Sequence, residues 1–265
     1  MLRVIREWMR LVAIAFVLPL MLAGCLDAGQ TQYDLGWAHE EGLGVAQDYT
    51  EAVKWYRQAA EKGHAAAQYK LGAMYETGRG IARNNAEALK WYRKAAEQGY
   101  VEAQTSLGVM YEAGRGVARD YAEALKWTRE AAEQEYAKAQ NNLGRMYYAG
   151  WGVERDYAEA LKWTHKAVAQ GYAEAQYGLG KMYTRGEAVE RDYAEALKWY
   201  RKAAEQGHAG SQSRLGLAYL CGLGVTQDDA EARKWLHLAA EQGNEYAKNK
   251  LAGWVFRTLG CERFK

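Results

Sequence analysis

Proline is almost missing from this sequence: of 265 residues only Pro19 is one, and it lies in the first two dozen positions. A chain free of proline from there on, and rich in Ala, Leu, Glu, Lys and Arg, meets no obligatory helix break. Cysteine is scarce, with only Cys25, Cys221 and Cys261. Net charge is missing too. The formal +2 resides in the first 24 residues, since removing Arg3, Arg6, Arg10 and Glu7 with them leaves 32 basic and 32 acidic side chains. Such a balance gives no global attraction to nucleic acid or to anionic lipid. The five histidines include no closely spaced pair of the kind a zinc site uses, so no metal is expected. No serine, cysteine or lysine stands in a recognisable nucleophile motif, and no cofactor is implied.

What is present is repetition. Leu-Gly pairs fall at Leu35-Gly36, Leu71-Gly72, Leu107-Gly108, Leu143-Gly144, Leu179-Gly180 and Leu215-Gly216, spaced by 36 residues without insertion or deletion. Twenty residues after each leucine comes a tryptophan: Trp55, Trp91, Trp127, Trp163, Trp199 and Trp235. Self-similarity at this period marks a solenoid, in which each repeat buries its apolar face only against its neighbours. The repeats are taken as 31–66, 67–102, 103–138, 139–174, 175–210 and 211–246, with 247–265 as a capping half-repeat.

One repeat suffices to read the local chemistry. Ala67, Leu71, Met74 and Tyr75 recur at helical spacing, predicting a helix from Ala65 to Glu76. Gly72 leaves room for a second helix. Gly78-Arg79-Gly80 stops the first one, because glycine readily takes the left-handed conformation that ends a helix. These Gly-x-Gly turns follow helices rather than strands, so they are punctuation and not phosphate cradles. Asn84 is placed as the N-cap of the second helix, with Glu87 three residues on. The pairs Asp48/Glu51, Asp120/Glu123, Asp156/Glu159, Asp192/Glu195 and Asp228/Glu231 repeat that arrangement. Ala88, Leu89, Trp91, Tyr92, Ala95 and Ala96 supply the inner face. The recurring tryptophans are therefore read as core.

The pattern LGxMYxxGxGV followed by D-Y-AEALKWYRKAAEQG, present in full or in part six times, resembles the Sel1-like repeat, a relative of the tetratricopeptide repeat. The resemblance implies an all-α fold: a right-handed superhelical α/α solenoid of six helix-turn-helix repeats plus a capping helix. Two departures stand out. Glu187 and Ala188 replace the glycine-rich turn of repeat five, and Glu135 replaces a glycine in repeat three. Those turns are expected to be strained or differently shaped.

The N-terminal segment reads differently. Arg3, Arg6 and Arg10 precede the apolar run Leu11 to Leu22, which is short for a membrane span and has the layout of a secretory signal. Its end, Leu22-Ala23-Gly24-Cys25, resembles the lipobox of bacterial lipoproteins. The resemblance implies removal of 1–24, lipid attachment at Cys25, and a tether over 25–30. Leu26 stands where an aspartate would, in that family, favour inner-membrane retention. The expected place is the periplasm, anchored to the outer membrane. An exported chain experiences oxidising conditions, so Cys221 and Cys261, forty residues apart, are candidates for a disulfide; two separate thiols are the alternative.

If repeated residues build the fold, function lies where repeats differ. The informative positions are on the first helix of each repeat, at offsets three, seven, ten and eleven, one stripe opposite the Leu/Tyr core. In the tetratricopeptide-like superhelix the matching stripe lines the concave surface. Here it carries Tyr33, Trp37, Glu40 and Glu41, then Tyr69 and Glu76, then Glu112. Arg145 and Tyr148 follow, then Tyr177, Lys181 and Arg185, and finally Leu217 and Leu220. Aromatic anchors flanked by charge suit a protein-binding surface. The expectation is a non-catalytic solenoid that binds another protein. Among Sel1-like lipoproteins this resembles periplasmic immunity proteins that neutralise secreted type VI phospholipase effectors. Envelope scaffolds, or regulators of polysaccharide assembly or of a sensor, are the alternative. A third group binds or hydrolyses β-lactams, but its members carry a disulfide in every repeat and this chain does not.

Overall fold

The structure, a computed structural model, describes residues 28–253 and Cys261. The leader, the proposed lipidation site Cys25, and the end of the capping half-repeat lie outside the described residues. The described residues form thirteen helices. The first six are α1 (Ala28–Glu41), α2 (Tyr49–Glu61), α3 (Ala65–Thr77), α4 (Asn85–Ala96), α5 (Val101–Ala113) and α6 (Tyr121–Glu133). Then come α7 (Ala137–Ala149), α8 (Tyr157–Ala169), α9 (Ala173–Arg185) and α10 (Tyr193–Glu205). The last are α11 (Ala209–Cys221), α12 (Asp229–Glu241) and α13 (Glu245–Ala252). They fall into two compact units, one ending at Gln134 and one beginning at Glu135. Within each unit a helix packs most extensively against its partner in the same repeat, then against the next repeat, as an α/α solenoid requires.

The second helix of each repeat starts where an Asp or Asn can cap it. Asn84 accepts from the backbone N–H of Ala86 and Glu87, and Asp120 from Ala122 and Glu123. The glutamate of this motif also anchors the tryptophan one turn further on. Glu123, Glu159 and Glu231 accept the indole N–H of Trp127, Trp163 and Trp235. Each pair of helices closes on a Leu-Gly step. Leu71, Leu107, Leu143, Leu179 and Leu215 are fully buried, each contributing about 1.5–3 kcal/mol of burial. The glycine beside them permits the approach, since a Cβ on Gly72 would lie 2.7 Å from the Tyr92 ring.

A second repeated device is polar. Gln68, Gln104, Gln140, Gln176 and Gln212 are all buried. Each accepts from the glutamine thirty residues later: Gln98, Gln134, Gln170, Gln206 and Gln242. Gln68, Gln104 and Gln212 also donate to the carbonyls of Ala60, Ala96 and Ala204 near the end of the preceding helix. These amides add a second donor to carbonyls that already accept from the backbone N–H of Gly63, Gly99 and Gly207. Repeat one shows the rule by its exception. Lys62 stands where the others have the donor glutamine, and the Gln32 Oε1 is buried without a partner.

The two irregular turns keep the shape of their glycine counterparts. Glu135 (φ 61°) and Ala188 (φ 63°) are the non-glycine residues with positive φ among the described residues. Ala188 thus matches Gly80 (φ 67°) and Gly152 (φ 70°) rather than adopting a new turn. A Cβ at Gly80 would meet the Tyr49 carbonyl oxygen at 2.2 Å, so repeat five, which does carry that Cβ, must shift locally. Cys221, at the end of α11, is joined to Cys261, with Cα atoms 5.4 Å apart.

Candidate functional site

The stripe residues divide by what they touch. In the first unit the aromatic and acidic members are largely committed within the chain. Tyr33 stacks on His64 (centroids 4.9 Å) and leans on Tyr56. Tyr69 sits between Tyr92 and Tyr100. Glu40 accepts from the Tyr56 hydroxyl and from Lys70 Nζ at 2.9 Å. Glu76 accepts from the Tyr92 hydroxyl at 2.8 Å and from Arg115 at 2.7 Å. These contacts hold the Tyr56 and Tyr92 phenols well above their ordinary pKa, burial first and then the carboxylate. Glu112 is half-buried. Exposed aromatic surface is left at Trp37, 43 % accessible, with Glu41 beside it on the same helix.

His64 and His208 are N-caps. Their Nδ1 atoms accept from the backbone N–H of Ala67 and Ser211. The Nε2 atoms reach Gln30 and Glu174, and the His208 contact draws the Glu174 carboxyl below the usual range. The tyrosines at the same register make no such cap.

In the second unit the stripe ends differ from expectation. Leu217 and Leu220 are only 3 % and 5 % exposed; they pack inward and offer no surface to a partner. Tyr177 packs on His208 and Tyr200. Four stripe residues, by contrast, are brought together. Arg145 and Tyr148 of α7 and Lys181 and Arg185 of α9 line one pocket of about 80 Å³, with Asn141, Gly144, Thr164, Gly178, Met182 and Glu187 completing the wall.

The pocket exists because two side chains are small where sister repeats have larger ones. Thr164 occupies the register of Tyr56, Tyr92 and Tyr200, whose rings lie against the Leu-Gly step. Gly178 occupies the register of Lys70 and Arg214, and a Cβ there would meet nothing within 4 Å. Sequence reasoning missed both. Their signal was a disagreement of size between repeats, not of charge on one stripe. Glu187, singled out from the sequence as half of an irregular turn, closes one side. It accepts from the Tyr148 hydroxyl, to which Arg185 also donates at 2.9 Å, and it lies 3.7 Å from Arg185.

Electrostatically the pocket is short of anions. Burial lowers the Lys181 pKa first, and the charges of Arg185 and Arg214 lower it further. The Lys181 ammonium rests over the Tyr177 ring at 5.5 Å, and the Arg145 guanidinium over Trp151 at 5.6 Å. Burial likewise raises the Tyr148 phenol. Such an arrangement can hold a small negative group. No group of three His, Cys, Asp or Glu side chains able to hold a metal occurs among the described residues.

The Sel1 repeat model matches residues 29–64, 65–100, 101–136, 137–172, 173–208 and 209–244. No curated protein matches the chain. Among solved structures, the chain is similar to c5321, a protective antigen of uropathogenic Escherichia coli with an SLR fold, at 41 % identity and a TM-score of 0.76. That likeness covers 90 % of this chain but spans half the length of that one. A Sel1 repeat protein from Oxalobacter formigenes is 34 % identical with a TM-score of 0.79, covering 87 % of this chain and 96 % of that one. The immunity protein Pa5087 from Pseudomonas aeruginosa is 23 % identical with a TM-score of 0.53, covering 84 % and 85 %, and shares the fold. With six consecutive matches over most of its length, the chain belongs to the Sel1 repeat family.

Proposed function

We propose that this chain is a non-catalytic, protein-binding solenoid, carried to the periplasm and held at the outer membrane by lipid on Cys25. Its role in this reading is that of an immunity protein, which grips a secreted phospholipase effector and blocks its active site or its access to membrane. The observation that carries the binding role is the contrast between a scaffold repeated six times and stripe side chains that vary between repeats. Four of these, Arg145, Tyr148, Lys181 and Arg185, converge on one pocket. The immunity role draws support from the resemblance of a Sel1-like lipoprotein to that group, with Pa5087 as a protein of the same fold.

Capture from cell-envelope and secreted fractions on the immobilised chain, followed by mass spectrometry, tests the role. The expected product is a phospholipase, whose activity falls as the chain is added in equal amount. Capture of a polysaccharide-assembly or sensor protein would replace the immunity role with a scaffold role. Capture of no protein would overturn the binding role itself. The anchor is tested separately: Cys25→Ala should abolish labelling by radioactive fatty acid, and equal labelling of variant and parent would remove it.

A further inference from the structure

We infer that the pocket between α7, α8 and α9 is a carboxylate-binding subsite that receives an aspartate or glutamate side chain from an acidic segment of the protein partner. This rests on the protein-binding role proposed above and deepens it. Three observations converge. The first is charge: Arg145, Lys181 and Arg185 line the pocket with Glu187 as the acid in its wall, and Glu187 is already engaged by Tyr148 and Arg185. The acid of α9, Glu174, is held by His208 at 2.9 Å, and it also raises the Lys181 pKa through its charge. Among the described residues Lys181 has no hydrogen bond or ion pair to either acid, its contact being the Tyr177 ring, and an ammonium beside guanidinium groups suits a carboxylate.

The second observation is the Asn141 amide. The residue is only 5 % exposed, and it lines the pocket. An amide in the wall of a pocket can donate to a ligand oxygen placed there. The equivalent residues are tied down: Tyr33, Tyr69 and Tyr177 by ring packing, Thr105 by the Val101 carbonyl.

The third is shape. A space of about 80 Å³ admits a carboxylate with a few waters and is too small to enclose a nucleotide or a sugar. Met182 and the bare backbones of Gly144 and Gly178 give an apolar wall for the methylene stem that a protein-borne carboxylate brings and an inorganic anion lacks.

The test uses a fluorescein-labelled peptide of alternating glutamate and alanine, its glutamine counterpart, free glutamate and inorganic phosphate, read by fluorescence anisotropy. The acidic peptide should bind saturably and the glutamine peptide should not. Thr164→Tyr restores the side chain that the same helix pair accommodates in repeats one, two and five. It should fill the pocket and weaken binding at least about tenfold with helicity unchanged. Lys181→Met should do the same without adding bulk, while Lys54→Met, an exposed lysine of the other unit, should leave binding as it was. Equal weakening by Lys54→Met and Lys181→Met would reduce the effect to general charge and overturn the subsite. So would tighter binding of phosphate or free glutamate than of the peptide, or no peptide binding at all. If the Thr164→Tyr chain still captures its partner as the parent does, the subsite fails while the binding role stands.

Discussion

Ala188 and Glu135 hold a backbone conformation that favours glycine, at φ 63° and 61°. A left-handed conformation costs an L-residue about 1–2 kcal/mol, partly offset by the larger entropy glycine loses on folding. Ala188→Gly and Glu135→Gly should therefore each stabilise the chain by about 0.5–1 kcal/mol, seen as a higher urea midpoint with unchanged slope. A lower midpoint would mean the surrounding turn has adapted fully to the side chain. The buried tyrosines set an alkaline limit. The Tyr200 phenol, 4 % exposed, is pushed up to about 12 by burial, whereas an unfolded tyrosine titrates near 10. A raised folded pKa gives stability that is complete below the unfolded value and lost as pH rises through the folded one. Thermal stability should fall between about pH 10 and 12, and less so in Tyr200→Phe; identical pH profiles for the two chains would contradict this. The irregular turns were legible in the sequence because each breaks a sixfold pattern at a glycine. The phenol contacts were not, because Tyr33 and His64 lie 31 residues apart and periodicity on one helix cannot show what the next repeat brings against it.

At the scale of helices, each pair is set by three repeated devices: the Leu-Gly step, the Asp or Asn cap, and the glutamine ladder. The first two follow from helical spacing and capping chemistry, and the structure places the Asn84 cap and the end of α3 at Gly78 as that chemistry demands. The ladder was invisible to the same reasoning. A glutamine at a helical core register reads as a surface residue until its acceptor, a carbonyl eight residues back, is brought to it. Gln104 bonds the Ala96 carbonyl and the Gln134 amide, so Gln104→Ala should cost about 1–3 kcal/mol by removing both hydrogen bonds. Lys90→Ala, on the exposed face, should change stability by less than about 0.5 kcal/mol. Equal effects in denaturant melts would show that the ladder contributes nothing. The same scale explains the stripe. Spacing located Arg145, Tyr148, Lys181 and Arg185 correctly on one face, but it treated every such position as open. It could not tell that Leu217 and Leu220 turn inward, nor that Glu40 and Glu76 are used to bind a tyrosine and a cation of their own unit.

For the whole molecule, one covalent prediction is simple. Unreduced peptide mapping should recover Cys221 joined to Cys261, and two free thiols would refute that link. The larger claim concerns the division of labour along the chain: what is repeated holds the fold, and what differs between repeats engages the partner. It can be tested by one paired comparison. In one variant Arg145, Lys181 and Arg185 are replaced by the residues that repeats two and three carry at those registers, Arg145→Ala, Lys181→Val and Arg185→Ala. Capture of the envelope or secreted partner and thermal unfolding are then measured on variant and parent together. The predicted result is a melting temperature within a few degrees of the parent, as expected for surface substitutions of a domain this size, with partner capture lost. Full capture by the variant, or a collapse of stability with it, would contradict that division of labour.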